Sequence, residues 1–358
     1  MQREQPVLDS NQNELLNLLR VKGLSIKDLD EGKKEELRRL MEFLHNAKGM
    51  SLTDIAKLIG NKTSGYTTWL CKQLGVQARP FEEARLKGIH EKRRKYERKP
   101  FDGTEEDKAY LLGLRHGDLS VSKPWNGVVR VSTSTTHPAM AELFHSLFDP
   151  YGHVYQDPRF KKDTNTYEWN LSVIVDNSFG FLLDDHHAVW DWVSQKTSVM
   201  LSYIAGILDS EGSVGIYSNK KGTALQALFY NTRLDLLVFI KHALEQLGYS
   251  PLGPYLDKKK GTMTSKYRIV RRKDYWKLAL AIFGQVQALF ARLPIRHREK
   301  IMRREIALSV EFGQLWSTVE PRLSALRDGI RTERDRFVLE AEKEYLRRAV
   351  LKADRVLN

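Results

Sequence analysis

The sequence predicts an α+β chain in which one helix–hairpin–helix–hairpin–helix unit is repeated in tandem, behind a small all-helical N-terminal part. Three observations predict it. Two helices with small residues four apart end on acids, Asp118 and Glu211, which are 93 positions apart. After each acid the apolar periodicity switches from about 3.6 towards 2, as when a helix gives way to strands. A further helix then closes on a glycine in each copy, Gly152 and Gly248, 34 and 37 residues after the acid. Agreement of order, spacing and turn positions in both copies marks a duplication.

Composition sets the bounds. The chain has 358 residues, enough for two or three domains, and 41% hydrophobic residues, enough for a sizeable core. The formal net charge of +13 suits a polyanionic partner, most simply nucleic acid. Cys71 is the one cysteine, which excludes an intramolecular disulfide and a zinc site of several thiolates. The N-terminal MQREQPVLDSNQNE is polar, and no apolar run approaches a membrane span, so a soluble, intracellular protein is expected.

Residues 1–46 read as helices, with a break near Gly23-Leu24-Ser25. Residues 47–76 match a helix-turn-helix: Ile55, Ala56 and Ile59 precede Gly60, and Tyr66, Trp69, Leu70 and Leu74 follow at helical spacing. Thr63, Ser64, Thr67, Thr68 and Lys72 are then expected to face outward towards DNA. Residues 77–104 form a basic linker; RLKGIHEKRRKYERK, at 85–99, carries eight Lys or Arg and suits phosphate contact.

The first copy, 105–199, opens with AYLLGLRHGDLSVS, in which Gly113 and Gly117 are four apart. An Asn126-Gly127 turn and VVRVSTST give its first hairpin, PAMAELFHSLFDPYG its helix, and GHVYQDPRFKKDTNTYEWNLSVIV its second hairpin. The second copy, 200–305, opens with SYIAGILDSEGSVGIY, in which Gly206 and Ser210 are four apart. NKKG turns its first hairpin, LDLLVFIKHALEQLG is its helix, and PLGPYLDKKKGTMTSKYRIVRR its second hairpin. Residues 306–358 read as a charge-rich helical packing tail.

An acid at a helix C-terminus opposes the carbonyl dipole by about 0.3–1 kcal/mol. Small residues four apart let the two helices approach closely, which sets Asp118 and Glu211 side by side near a pseudo-twofold axis. Two adjacent carboxylates call for a cation. Magnesium takes one or two carboxylates together with phosphate oxygens and water. A twofold pair of sites suits two in-line displacements, one per strand of a duplex.

AYLLGLRHGDL and YIAGILDSEG resemble the two signature helices of the LAGLIDADG homing endonucleases, in their single-chain, pseudo-dimeric form, over about 105–305. The resemblance implies paired αββαββα halves with saddle-shaped antiparallel sheets over DNA. It implies a monomer that hydrolyses both strands of duplex DNA across the minor groove, leaving short 3′ overhangs, with two or three magnesium ions shared by Asp118 and Glu211. The first motif departs from the pattern: His116 stands where the family usually has Asp, Arg115 precedes it, and Leu119 replaces the closing glycine. These changes predict an altered cleavage rate in that half, and His116 is expected to pack or cap rather than carry protons. Auxiliary roles fall by order on Thr135 or Thr136, and Asn231 or Thr232, for positioning water, and on Lys196, Arg298 or Lys300 as a basic group.

Alternation along the strands brings Lys123, Trp125, Arg130 and Ser132 to DNA in the first half and Tyr217, Lys220, Lys221 and Gln226 in the second. Arg159, Lys161, Lys162, Lys258, Lys259, Lys260, Lys266 and Arg268 are expected to bind DNA from the second hairpins, the loop lysines through phosphate. Tyr155, Trp169, Tyr255 and Tyr267 are expected in the core. Two other readings compete: a non-catalytic DNA-binding regulator on a degenerate copy of this fold, and an RNA maturase that helps an intron splice.

Overall fold

The computed structural model describes residues 10–20, 26, 29–60, 64–77, 96–124, 127–184, 186–220, 222–263 and 270–357. Contacts divide the chain into two units, residues 1–95 and 96–358. Most of the basic linker and the break near Gly23-Leu24-Ser25 lie outside the described residues.

The first unit is helical: α1 (Ser10–Arg20), α2 (Glu31–Glu42) with a π-helical turn at Phe43–Ala47, α3 (Leu52–Leu58) and α4 (Ser64–Gln73). Asp30 caps α2 by accepting the Lys33 N–H, and Ser51 caps α3 by accepting the Asp54 N–H. Leu16, Leu37, Met41, Leu44, Ile55 and Leu70 form its own core. Gly60 turns the chain after α3 at φ 80°, a conformation that favours glycine.

The second unit holds the duplicated part. Its first copy runs α5 (Glu105–Gly117), β1 (Ser120–Ser122), β2 (Val128–Thr135), α6 (Pro138–Phe148), β3 (Val154–Lys161) and β4 (Thr166–Asp176). It ends in a 3₁₀ stretch (Asn177–Leu183) and α7 (His186–Val193). The second copy runs α8 (Thr197–Glu211), β5 (Gly212–Asn219), β6 (Gly222–Asn231), α9 (Leu234–Gln246), β7 (Leu252–Lys258), β8 (Tyr275–Leu280) and α10 (Phe283–Arg292). The described strands form two antiparallel sheets of four, ordered β1-β2-β4-β3 and β5-β6-β8-β7. This is the αββαββα pair that the sequence predicts, preceded by the expected helical part.

Local chemistry explains the elements. Thr104 and Asp107 form a reciprocal capping box at the start of α5. Helix α8 is apolar on every side and buried from Val199 to Asp209, as a central helix must be. Val131 pairs with Val173 and Phe229 with Leu278, so one face of each sheet packs on the helices and the other stays open.

One hairpin differs from expectation. Its return strand is Tyr275–Leu280, beyond the predicted 251–272 segment, because Leu278 and Leu280 supply the buried alternation. Within the predicted segment, Met263 and Val270 make one isolated bridge.

The C-terminal part comprises α11 (Arg298–Ser309) and the 42-residue α12 (Trp316–Leu357). Near its start, Thr223 of β6 donates its N–H to Gln314 O at 2.8 Å. Further along, Trp169 Nε1 donates to Phe337 O at 3.1 Å, and Tyr345 packs against Tyr167. Helix α12 therefore touches the second half at one end and backs the first sheet at the other.

Candidate active site and nucleic-acid surface

Helices α5 and α8 run side by side from paired N-termini, where Ser198 donates to Glu106 at 2.6 Å. Midway they meet glycine to glycine. A Cβ on Gly113 would lie 2.9 Å from Ile207 N and 3.0 Å from Gly206 Cα; one on Gly206 would lie 2.9 Å from Leu114 N. Both are closer than real Cβ contacts, and the obstacles are backbone, so neither position accepts a side chain without separating the helices. One turn later Gly117 faces Ser210, and a Cβ there would also meet Glu211 Cγ at 3.1 Å. The small-residue spacing thus delivers Asp118 and Glu211 to one place.

The two acids repel each other. Burial, followed by the Asp118 charge, pushes the Glu211 carboxyl up to about 7. The Asp118 side chain keeps a solvent-facing side, yet the protein crowded around its carboxylate still raises its pKa, while Lys300 pulls it back. Tyr275 donates to Glu211 Oε2 at 3.4 Å.

Lys300 resolves the misplaced acid at the end of α8. From the first turn of α11, its Nζ donates to Leu208 O at 2.5 Å, Asp209 O at 2.7 Å and Ser210 O at 3.1 Å. The lysine is the cation that a helix C-terminus favours, supplied from about 90 residues downstream. Burial brings its ammonium down to about 8, opposed by the charges of Asp209, Asp118 and Glu211.

Asp209 is fully buried. Its Oδ2 accepts from Tyr110 OH at 2.6 Å, Arg296 N at 2.7 Å and His297 N at 3.1 Å. Arg296 also reaches Asp107 at 2.6 Å and lies over the Tyr110 ring. The 93-residue offset maps Tyr110 onto Tyr203 and Asp209 onto His116. There the Tyr203 hydroxyl meets His116 Nδ1 at 2.6 Å and accepts from Trp190 Nε1 at 3.1 Å. His116 packs edge-on against Tyr203.

Other auxiliary candidates are held elsewhere. Lys196 pairs with Glu105 at the opposite end of the helix pair, because it precedes the first turn of α8. Arg298 is taken by Glu142 at 2.9 Å and Glu333 at 2.7 Å. Thr136 accepts from Arg334 at 3.2 Å, and Thr135 accepts from His137 N at 2.9 Å. Asn231 is buried and accepts from Arg233 N, while Thr232 is exposed beside it. Of the basic candidates only Lys300 reaches the acids.

Arg130 and Ser132 lie on the open face of the first sheet, Arg159 and Lys161 on edge strand β3, and Lys123 and Lys162 in exposed connections. Lys161 stands 3.7 Å from Glu168. Tyr217 and Gln226 lie on the open face of the second sheet, with Lys220, Lys258, Lys259 and Lys260 exposed around it. Trp125, Asn126, Lys221, Lys266, Tyr267, Arg268 and Thr63 lie outside the described residues.

Three expectations are corrected. Thr67 is buried rather than outward, because it shares the inner side of α4 with Leu70 and Cys71; Ser64 is partly exposed, and Thr68 and Lys72 are exposed. Tyr155 and Tyr255 are 41% and 56% exposed, not core residues, because they fall on the open phase of their strands; Trp169 is in the core. Tyr230, Tyr275 and Lys277 join the open face unforeseen. The alternation in YWKLAL carried that signal, separated from the rest of the hairpin by a stretch of sequence without apolar period.

The model of the LAGLIDADG-like domain family matches residues 198–283, from the first turn of α8 to the start of α10. This segment is a LAGLIDADG-like domain. The LAGLIDADG-like copy is preceded by its structural duplicate, in which α5 and β1–β4 repeat the same order. No curated protein matches the chain. Among solved structures, that of I-DmoI in complex with DNA and Mn is 18% identical, covering 53% of this chain and 97% of its own at a TM-score of 0.33. The homing endonuclease I-WcaI bound to its DNA recognition sequence is 13% identical, covering 55% and 86% at 0.37. The N-terminal LAGLIDADG domain of DUF199/WhiA is 13% identical, covering 62% and 96% at 0.35.

Proposed function

We propose that this protein is a site-specific endonuclease that cuts both strands of duplex DNA, with Asp118 and Glu211 as its catalytic carboxylates. The observation that carries the reading is the meeting of these acids at the ends of two glycine-paired helices, beside two open sheet faces. A structural pair of acids would be neutralised by the fold. Here both carboxyls are raised, as befits groups that lack a full counter-charge.

The donor set fits magnesium. It offers hard oxygen ligands, and among the described residues no group of three or more His, Cys, Asp or Glu could enclose a metal by itself. Phosphate and water would complete the coordination, as magnesium prefers. Bound by Asp118 and Glu211, the ions would supply Lewis acidity at the scissile phosphates. The chain's own residues do the positioning. Lys300 fixes the end of α8, Tyr275 orients Glu211, and the sheets seat the duplex so that each acid faces one strand across the minor groove. Short 3′ overhangs follow from that placement. The helix-turn-helix-like α3 and α4 add a second duplex contact through Thr68 and Lys72, and the net charge of +13 supports phosphate binding throughout.

The test is a cleavage selection. Wild type and an Asp118→Asn/Glu211→Gln double variant are each incubated with a genomic or randomised duplex library and magnesium, and the ends are sequenced. Discrete double-strand ends with short 3′ overhangs, absent from the variant, are expected. A folded wild-type protein that enriches a sequence without cutting it overturns the nuclease reading. That outcome selects a DNA-binding regulator, which the altered first motif favours: His116 stands at the position equivalent to Asp209, and Lys300 closes the end of α8 rather than that of α5.

A further inference from the structure

The two open sheet faces differ in chemistry. The first presents mainly short hydroxyls and charge, with Tyr155 and Ile174 beside them: Ser120 pairs with Ser132, Ser122 with Arg130, and Ser134 with Asn170. The second presents aromatic and aliphatic surface: Tyr217 pairs with Ala224, Tyr230 with Lys277, and Leu252 with Ala279. Tyr217 and Leu252 are 38% and 51% exposed. Leu228 and Ala279 lie outside the core cluster that takes their neighbours Ala227, Phe229, Leu278 and Leu280, which places them on the open side. Within the strands arginine follows the same division, with Arg271 and Arg272 set in the connection before β8. Strands β2 and β3 carry Arg130 and Arg159, whereas β5 to β8 contain none.

An exposed apolar patch on a sheet already packed on its other side calls for a partner. Exposed lysines at 220, 258, 259 and 260 surround this one, so the partner is an anion with apolar groups inside a charged border. The major groove of duplex DNA has that character, with phosphates at its rims and thymine 5-methyl groups on its floor. Arginine on the other sheet suits the O6 and N7 acceptors of guanine.

We infer that the two half-sites differ in composition. The half-site under the second sheet is rich in thymine, contacted through Tyr217, Leu228, Tyr230 and Leu252. The half-site under the first sheet contains guanine, read by Arg130 and Arg159. The inference rests on the reading of both sheets as a duplex-binding surface.

A binding selection from a randomised duplex library with the full chain, without divalent metal, gives the site. Duplexes are then made with deoxyuridine for thymine in one half-site at a time, which removes only the 5-methyl groups. The substitution in one half-site is expected to weaken binding about fourfold per contacted methyl, and in the other to leave it unchanged. Arg130→Ala is expected to relax a guanine preference in the insensitive half-site, assigning that half to the first sheet. A selected site of equal composition in both halves, deoxyuridine tolerated in both, or Arg130→Ala acting in the thymine-rich half each overturns the inference while leaving duplex binding intact. Enrichment of no duplex, or preference for single strands, overturns the duplex reading itself and the inference with it.

Discussion

The ends of α5 and α8 occupy equivalent places and are held by different means. At the end of α8, a buried carboxylate, Asp209, takes one phenol and two backbone N–H donors, and an ammonium, Lys300, closes the helix. At the end of α5, the equivalent place holds a phenol, an imidazole and an indole, with the charges of Arg233 and Asp235 acting on the phenol. The glycines at the midpoint, Gly113 and Gly206, are the same in both, and one turn on Gly117 corresponds to Ser210. The difference teaches that duplication preserved the approach of the helices while the charge around each acid drifted. Geometry is fixed by backbone contact, which tolerates no substitution, whereas the polar shell accepts different sets of donors and acceptors in the two copies.

The largest effect should come from breaking what the halves share. Gly206→Val drives a side chain into the backbone of α5 and is expected to destabilise the second unit by about 3 kcal/mol or more, read as a lower urea midpoint. An unchanged midpoint would refute the close approach. The next tests the contrast directly. Asp209→Ala strands two buried N–H groups and a phenol, for about 3 kcal/mol, whereas His116→Ala should cost about 1 kcal/mol. Equal losses would mean that the two pockets carry similar loads.

A pH dependence sharpens the comparison further. His297 is buried, and burial followed by the Lys300 charge lowers its imidazole to about 4. The unfolded chain, with an ordinary value near 6.5, therefore binds the extra proton first. Stability from this group is full above about pH 6.5 and falls as pH drops towards 4, reaching a loss of about 2 kcal/mol at pH 5. His297→Gln should flatten that part of a plot of urea midpoint against pH. The smallest effect belongs to Tyr275→Phe. Its bond to Glu211 is 3.4 Å long, so cleavage should slow by no more than about fivefold, with folding unchanged.

Local chemistry was legible in the sequence, and distant chemistry was not. The helix pair could be read because Gly113, Gly117, Gly206 and Ser210 lie within single helices, where spacing fixes a face. The sheets could be read from alternation and turns. The role of Lys300 could not, because its three carbonyl partners are about 90 residues away, and order along the chain ranked it with Lys196 and Arg298. Thr67 misled because a hydroxyl reads as polar while its place on α4 is an inner one. The return strand Tyr275–Leu280 lies further along than expected, because the segment before it carries no apolar period in the sequence.

Helix α12 has a consequence for synthesis. Its Phe337 stretch supplies the acceptor for the Trp169 indole and a ring against it, and Tyr345 and Arg348 meet Tyr167 and Asp157 further on. The first sheet is translated long before that helix. While the ribosome makes the intervening residues, Trp169 and Tyr167 stand uncovered, so the first half is completed only after both sheets, when α12 has been made. A nascent protein stopped before Trp316 would carry every strand of both sheets and still present an unfinished back to the cell's quality control.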